Sequence, residues 1–284
     1  MPRLDINGAS LAYEIIGDGA RSVAITPGGR FSRETPGVRE LAQTLADNDC
    51  RVLIYDRPNC GESEVLFTGT SETRQNADAL AGLLRATGLA PALIVAASGG
   101  AREAIVAAIH HPDAVSGLHV QWLSGGAIGI ATLPIFYCAD AALAAATHGM
   151  EAVLKLPGWQ EPLTRWPANR DRILAQDRDA FVATMRRWAD AYFPTDAPIP
   201  CVTRAELVAL NLPVTVLRGG ASDLHHPRET SEAVAALIPG GVLSEPPWGD
   251  REWLERLDAS MAGRGGLFES LPKLVPSILT MLDA

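Results

Sequence analysis

Residues 93 to 102 read Leu93-Ile94-Val95-Ala96-Ala97-Ser98-Gly99-Gly100-Ala101-Arg102. An apolar run that favours a strand ends at a serine flanked by small residues, and a helical pattern follows at once. Apolar residues then recur at helical spacing until His110-His111-Pro112. A strand that breaks into a helix with serine at the bend is typical of a nucleophile elbow, which holds the hydroxyl outwards on a sharp turn.

The chemistry of an elbow restricts the neighbours of its serine. Because the turn is tight, the positions two before and two after Ser98 must be small, and Ala96 and Gly100 meet that need. The turn would also leave the N–H of Gly99 free at a helix N-terminus, where it can face an oxyanion. A serine that merely caps an ordinary helix gives the same local pattern, so the motif alone does not decide between the two.

The rest of the chain alternates between predicted strands and predicted helices. This alternation predicts a three-layer α/β fold with a mainly parallel sheet. His119 alternates with apolar neighbours in one of the strands, so we expect a core histidine with a satisfied hydrogen bond. The predicted strands are 11–16, 22–26, 51–55, 93–95, 116–121, 213–218 and 241–244, and the predicted helices include 38–46, 72–87, 228–238 and 267–282.

The pattern changes after Ser124. From about residue 125 to residue 210 the segments look helical, are separated by glycine and proline, and carry a cluster of aromatic residues. We interpret residues 125–210 as a helical cap inserted into a core of residues 1–124 and 211–284. Most aromatic residues of such a cap form its own core, and one or two line a pocket. The residues that we expect at a substrate pocket are Arg30, Trp122, Tyr137 and Trp248.

Length and composition are those of a globular unit that can bury a large core. The chain has 284 residues, 47% of them hydrophobic, and a formal net charge of −9. This negative charge argues against nucleic acid and against an anionic membrane as partners. We expect no apolar run long enough to span a bilayer, and the first residues lack the apolar core of a signal peptide, so we expect a cytoplasmic protein.

The sequence gives no sign of a bound metal or cofactor. Its four cysteines are scattered, and no group of His, Cys, Asp and Glu has the spacing of metal ligands. Gly28-Gly29 lacks the context of a phosphate-binding loop. We therefore expect free thiols, no metal, no cofactor and a small molecule as the partner. The oligomeric state stays open, with a homodimer as one option.

The order of these parts resembles the α/β-hydrolase superfamily over nearly the whole chain. Pro27-Gly28-Gly29 stands where that family has a His-Gly oxyanion loop, with proline in place of histidine, and Ser98 stands at the nucleophile position. The resemblance implies a mainly parallel sheet of about eight strands, helices on both faces and a helical cap. Three more segments resemble family loops: Asp56–Ser63, His111–Val115, and Gly219–Asp223 with Pro227 four residues on.

The resemblance also implies a role for each matched residue. Ser98 would attack an acyl carbon, the N–H groups of Gly29 and Gly99 would hold the oxyanion, and Asp223 would orient a histidine that moves the proton. The implied activity is hydrolysis of a small, largely apolar ester or related acyl compound. The same fold hosts lyases and the cleavage of carbon–carbon bonds, and a different class of protein would bind or sense a small molecule without turnover.

The family places its histidine after the last strand, but no histidine lies downstream of His226 in this chain. Three alternatives stay open. In the first, His226 or His225 of the acid loop supplies the imidazole, and we prefer His226 slightly because it precedes a proline. There Asp250 could orient His225, for which Asp223 is too close in sequence. In the second, Asp250 itself serves as the base, against the alternative that an Asp or Glu of its segment forms a structural ion pair with Arg251. In the third, Ser98 is not a nucleophile.

Overall fold

A computed structural model gives the structure of residues 2–193, 196–221 and 223–283; Ser222 of the predicted acid loop lies outside these described residues. The strands are β1 Arg3–Ile6, β2 Ala9–Ile16, β3 Arg21–Thr26, β4 Cys50–Tyr55, β5 Ala92–Ala97, β6 Val115–Gln121, β7 Val214–Leu217 and β8 Val242–Ser244. The helices are α1 Val38–Ala46, α2 Glu72–Ala86, α3 Gly99–His110, α4 Gly126–Pro134, α5 Asp140–His148, α6 Met150–Val153, α7 Pro157–Arg165, α8 Asn169–Leu174, α9 Arg178–Asp190, α10 Arg204–Ala209, α11 Arg228–Leu237, α12 Glu252–Met261 and α13 Val275–Leu282. A π-helical turn, Ile135–Ala139, joins α4 to α5, and a 3₁₀ turn, Leu271–Leu274, precedes α13.

The strands form one sheet in the order β1-β2-β4-β3-β5-β6-β7-β8. β2 pairs antiparallel with β1 and with β4, and the remaining pairs are parallel. The carboxyl ends of β3 to β8 therefore meet at one edge, where the turns after β3, β5 and β7 carry Gly29, Ser98 and Asp223. The prediction of an α/β fold with a mainly parallel sheet of about eight strands is confirmed.

Successive residues of the central strands enter two different cores because they point to opposite faces of the sheet. On one face, Ala24, Leu53 and Ile94 pack in a cluster with residues of α2 and α3. On the other face, Val23 and Val95 pack in a cluster with residues of α1 and α13. Both faces are covered, which explains why these strands are continuously apolar.

The helices from α5 to α9 enclose a third apolar cluster. The Phe67 ring packs there against Phe181, Trp159 and Trp188, with ring-centroid distances of 5.0, 5.6 and 6.3 Å. Within residues 125–193 and 196–210 the structure contains helices and no strand. The division into a cap of residues 125–210 and a two-part core stays a prediction, and most aromatic side chains of that segment serve its own packing.

One continuous helical stretch, Gly126–His148, is more apolar than the sequence prediction allows for. The stretch has 23 residues, and its most apolar 18-residue window has a mean hydropathy of 1.6 and is only 28% buried. By length and composition alone it could cross a membrane, so the expectation that no apolar run reaches that length is wrong. Its large exposed apolar side chains are Ile128, Ile135, Phe136 and Leu143.

Two elements lie outside the sequence prediction, and each depends on distant contacts. The edge strand β1 is held by its antiparallel ladder with β2, in which Arg3 lies opposite Ala12. The helix α12 begins at Glu252, in a segment that is not among the predicted helices. The last predicted helix, 267–282, is shorter in the structure, because a 3₁₀ turn that contains Pro272 precedes α13.

Replacing His119 with Asn should make the fold less sensitive to acid. The His119 ring is fully buried and lies 2.9 Å from Ser277 Oγ, and burial lowers its pKa from 6.5 to about 4. The unfolded chain therefore binds this proton at a higher pH than the folded chain. Stability should fall as the pH drops from 6.5 to 4, by on the order of 3 kcal/mol from this group.

The measurement is the free energy of urea unfolding of both proteins at pH steps from neutral to about 4. The wild-type protein should lose stability relative to His119→Asn across this window. A difference between the two proteins that does not change with pH would contradict the prediction.

Candidate active site

Ser98 lies at the bend between β5 and α3 in a backbone conformation that is rare for any residue except glycine. Its φ is 53° and its ψ is −120°, and its N–H donates to the Gln121 carbonyl at 3.1 Å. The close packing explains the small neighbours. A β-carbon on Gly28 would lie 2.5 Å from Ser98 Cβ, and one on Gly100 would lie 2.3 Å from the Thr26 carbonyl oxygen. The bend is thus a sharp, crowded turn of the kind expected for an elbow.

The two predicted oxyanion donors come together beside this serine. Gly99 is the first residue of α3, whose early N–H groups have no partner within the helix. The backbone nitrogen of Gly29 lies 3.3 Å from the point that a β-carbon on Gly99 would occupy. Gly29 has a φ of 54°, which favours glycine. Two backbone donors at such a site can stabilise an oxygen that becomes negatively charged.

The acid loop holds a histidine against the serine. Asp223 Oδ1 accepts hydrogen bonds from the backbone N–H groups of His225 and His226, both at 3.0 Å. Asp223 Oδ2 lies 2.9 Å from His226 Nδ1, and His226 Nε2 lies 2.9 Å from Ser98 Oγ. An ionised carboxylate can only accept, so neutral His226 carries its proton on Nδ1 and leaves Nε2 to accept from the serine.

The surroundings of His226 keep its ring neutral. The side chain is 2% exposed, and burial lowers its pKa below the ordinary value of 6.5, while the hydrogen bond to the Asp223 carboxylate opposes that shift. The Trp253 ring packs against the imidazole in a T-shaped arrangement, with a centroid distance of 4.4 Å and an interplanar angle of 84°. A neutral imidazole at this position can take a proton from Ser98 at neutral pH.

The other two candidate bases are placed differently. His225 is exposed and lines the same cavity, but the imidazole hydrogen-bonded to Ser98 is that of His226. Asp250 does not line that cavity. Its carboxylate is 55% exposed and lies 2.5 Å from Arg228 Nη2, and Arg251 lies 3.8 Å from the Glu255 carboxylate.

A cavity of about 330 Å³ opens over Ser98. Apart from Ser98, His225 and His226, its polar side chains are those of Ser124, Thr132 and Tyr137. The remaining lining is glycine and large apolar residues, which suits a small, largely apolar ligand. The apolar lining residues are Phe31, Leu133, Phe136, Trp253, Leu257, Leu267 and Phe268.

Of the four residues expected at the pocket, Tyr137 lines this cavity and the other three do not. Arg30 stacks on the Trp159 ring at 4.0 Å and pairs with Glu72 at 3.2 Å. Trp122 stacks on Trp248 with a centroid distance of 5.2 Å. Both tryptophans pack with the core cluster on the α1 side of the sheet. The predictions for Arg30, Trp122 and Trp248 as lining residues are therefore wrong.

Sequence reasoning also missed most of the apolar wall. Phe31 and Phe136 each stand beside a residue that was singled out, and chain proximity was the available signal for them. Leu257 belongs to α12, and Leu267 and Phe268 lie between α12 and the final 3₁₀ turn. These three reach the cavity through tertiary packing, for which the sequence carries no local signal.

Metal chemistry finds no support in the part of the chain that the structure describes. No three or more His, Cys, Asp or Glu side chains there are grouped closely enough to hold an ion. The four cysteines are free thiols, and Cys50, Cys60 and Cys138 are buried.

Comparisons with known proteins agree with this architecture. Residues 32–121 match a family model described as alpha/beta hydrolase fold, and no curated protein matches the sequence. A hydrolase from Pseudomonas aeruginosa PA01 is similar with a TM-score of 0.61 and 22% identity, over 100% of this chain and 98% of that one. The enol-lactonase from Burkholderia xenovorans LB400 is similar with a TM-score of 0.58 and 22% identity, over 92% of this chain and 97% of that one. The esterase EaEST from Exiguobacterium antarcticum is similar with a TM-score of 0.60 and 14% identity, over 98% of this chain and 97% of that one.

Replacing Trp253 with Ala should raise the pKa of His226. The substitution removes the ring that packs against the imidazole, so water reaches the imidazole and its pKa should rise towards 6.5. The measurement is an NMR titration of the histidine ring signals, with His226→Gln to assign the signal.

The matched control is Trp248→Ala, which removes a tryptophan that stacks on Trp122 and does not line the cavity. This variant should leave the His226 midpoint in place. The prediction fails if both tryptophan variants titrate like the wild-type protein.

Proposed function

We propose that this protein of the α/β-hydrolase fold hydrolyses small, largely apolar esters through an acyl-enzyme on Ser98. One observation carries the proposal. Ser98 Oγ, His226 and Asp223 form a continuous hydrogen-bonded relay with distances of 2.9 Å from Ser98 to His226 and 2.9 Å from His226 to Asp223. A serine hydroxyl is a weak nucleophile until an adjacent base takes its proton, and this relay supplies such a base.

The reaction would proceed in two halves. Ser98 Oγ attacks the ester carbonyl carbon while its proton passes to His226 Nε2, and the N–H groups of Gly29 and Gly99 hold the oxyanion. The carbon–oxygen bond to the alcohol then breaks, and the alcohol oxygen takes the proton from His226. In the second half, water attacks the acyl-enzyme, its proton passes to His226, and Ser98 recovers a proton as the acid leaves. Asp223 stays ionised and stabilises the imidazolium that forms in each half.

The cavity supports a small substrate with an apolar body. Its volume of about 330 Å³ and its wall of phenylalanine, leucine and tryptophan favour burial of hydrocarbon groups beside Ser98. A lactone is a cyclic ester and would pass through the same tetrahedral oxyanion. One similar structure is that of an enol-lactonase, and another, Est816, is described as an N-acyl homoserine lactone degrading enzyme. We therefore include lactones in the proposed substrate class.

The competing function is binding without turnover, or lyase and carbon–carbon chemistry without an acyl-enzyme. Binding without turnover does not require a neutral imidazole that is hydrogen-bonded to the serine. It also does not require a strained turn that exposes the serine hydroxyl. These two features favour the hydrolase.

Removal of the nucleophile or the base should abolish activity. We expect Ser98→Ala and His226→Gln to lower kcat for an ester such as 4-nitrophenyl butyrate by roughly 10³-fold or more. Intact mass should show one fluorophosphonate adduct on the wild-type protein and none on Ser98→Ala. Peptide mapping should place the adduct on Ser98.

The matched controls are the other candidate bases. His225→Gln and Asp250→Asn should each stay within about tenfold of the wild-type rate, because the imidazole that is hydrogen-bonded to Ser98 is that of His226. A folded wild-type protein that forms no adduct and turns over no ester would overturn the proposed hydrolase. Loss of activity in His225→Gln with retention in His226→Gln would reassign the base.

The pH dependence of kcat/KM should report His226. Catalysis needs the neutral imidazole, so the rate should rise with pH through the His226 pKa and then level off. Burial lowers this pKa below 6.5, so the plateau should already be reached near neutral pH. A midpoint above 7 would contradict the assignment of the base.

A further inference from the structure

Four arginine side chains are buried, and one of them, Arg102, differs from the others in its charged partners. Arg30 pairs with Glu72, Arg33 with Asp56, and Arg57 with Glu103. Arg102 is 1% exposed, yet no carboxylate among the described residues pairs with it, and its Nε and Nη1 have no hydrogen-bond partner there. A buried guanidinium without a counter-ion is unfavourable unless something supplies the missing acceptor.

Arg102 lies next to the proposed reaction centre. It is in the first turn of α3, four residues after Ser98. Its Nη2 atom is 3.8 Å from the point that a β-carbon on Gly99 would occupy, and the Tyr137 hydroxyl is 2.9 Å from the same point. Tyr137 lines the cavity over Ser98. Because residue 99 is glycine, no side chain of that residue separates the guanidinium from the Tyr137 hydroxyl and the Gly29 N–H.

The groups around Arg102 do not neutralise it. The rings of Tyr137 and Tyr192 are stacked at 5.6 Å, and the guanidinium carbon lies 5.7 and 5.2 Å from their centroids. Burial raises the pKa of both phenols, so they stay uncharged. The adjacent acid, Glu103, is already held by Arg57 and by Asn76. The aromatic faces attract the cation without giving it a hydrogen-bond acceptor.

We propose that Arg102 and the Tyr137 hydroxyl form a carboxylate subsite beside the oxyanion position. This inference rests on the proposed function and narrows its substrate class. The preferred substrates are esters or lactones whose acyl part carries a free carboxylate a few atoms from the reacting carbonyl. Arginine matches a carboxylate with parallel donors, and the phenol adds a further donor. The apolar wall of the cavity then receives the alcohol part.

The test separates binding from turnover by using Ser98→Ala protein. Isothermal titration compares monoethyl succinate with ethyl pentanoate, a neutral ester of similar length. We expect the acid to bind at least tenfold more tightly than the neutral ester. Turnover of the same pair by the protein with Ser98 intact, followed by pH-stat, should show the same order of kcat/KM.

Variants at Arg102 then assign the preference. In the Ser98→Ala background, Arg102→Met should abolish the tenfold difference, and Arg102→Lys should retain part of it because the charge remains. The matched control is Arg85→Met, which removes the same charge from an exposed arginine paired with Asp113. This control should keep the full preference. Since Arg102→Met removes an unpaired buried charge, its melting temperature should equal or exceed that of its parent.

Equal binding of the two esters to Ser98→Ala protein would overturn the subsite, as would a preference that survives in Arg102→Met. Should Arg102→Met not fold, the comparison of the two esters in Ser98→Ala and in Arg102→Lys still decides the matter. Failure of the hydrolase itself looks different. In that case neither ester is turned over by the protein with Ser98 intact, while Ser98→Ala still binds the acid more tightly.

Discussion

The carboxylate of Asp223 is the constraint on which the site depends. It accepts two backbone N–H groups of its own loop through Oδ1 and faces the His226 ring through Oδ2. These bonds fix the loop and the imidazole with the same group. The carboxylate and the imidazole therefore lie three residues apart on one loop. The fold of the sheet then places Ser98 next to that imidazole.

Because His226 lies in the loop after β7, the segment after β8 has a different role from the one that it has in the family that the sequence resembles. In the family that the sequence resembles, the segment after the last strand carries the base, whereas here it carries Trp248 and Trp253. Trp248 stacks on Trp122, and Trp253 packs on the His226 ring. The segment thus supplies a wall that excludes water from an imidazole on another loop. Burial by that wall is part of what lowers the pKa of His226 and holds it in its basic form.

The sequence predicts the sheet and the elbow well because both have local signals. Continuous apolar strands, alternating helices and the small residues around Ser98 can be recognised within short windows. The base could not be fixed in the same way. Whether His225 or His226 faces the serine depends on how Asp223 folds its own loop, a matter of side-chain direction. The pocket predictions failed for the same reason, since Trp122 and Trp248 turn into the core and stack on each other.

The last strand, β8, has only three residues, and two of them are exposed. Such an edge strand is among the parts of a sheet that open most readily. In this chain the proton relay is attached to the loop after β7, one strand further in. Fraying at the rim of the sheet therefore leaves the distance between imidazole and hydroxyl untouched. The proposed catalytic groups share the lifetime of the interior strands, so sequence changes confined to β8 leave the proposed relay in place.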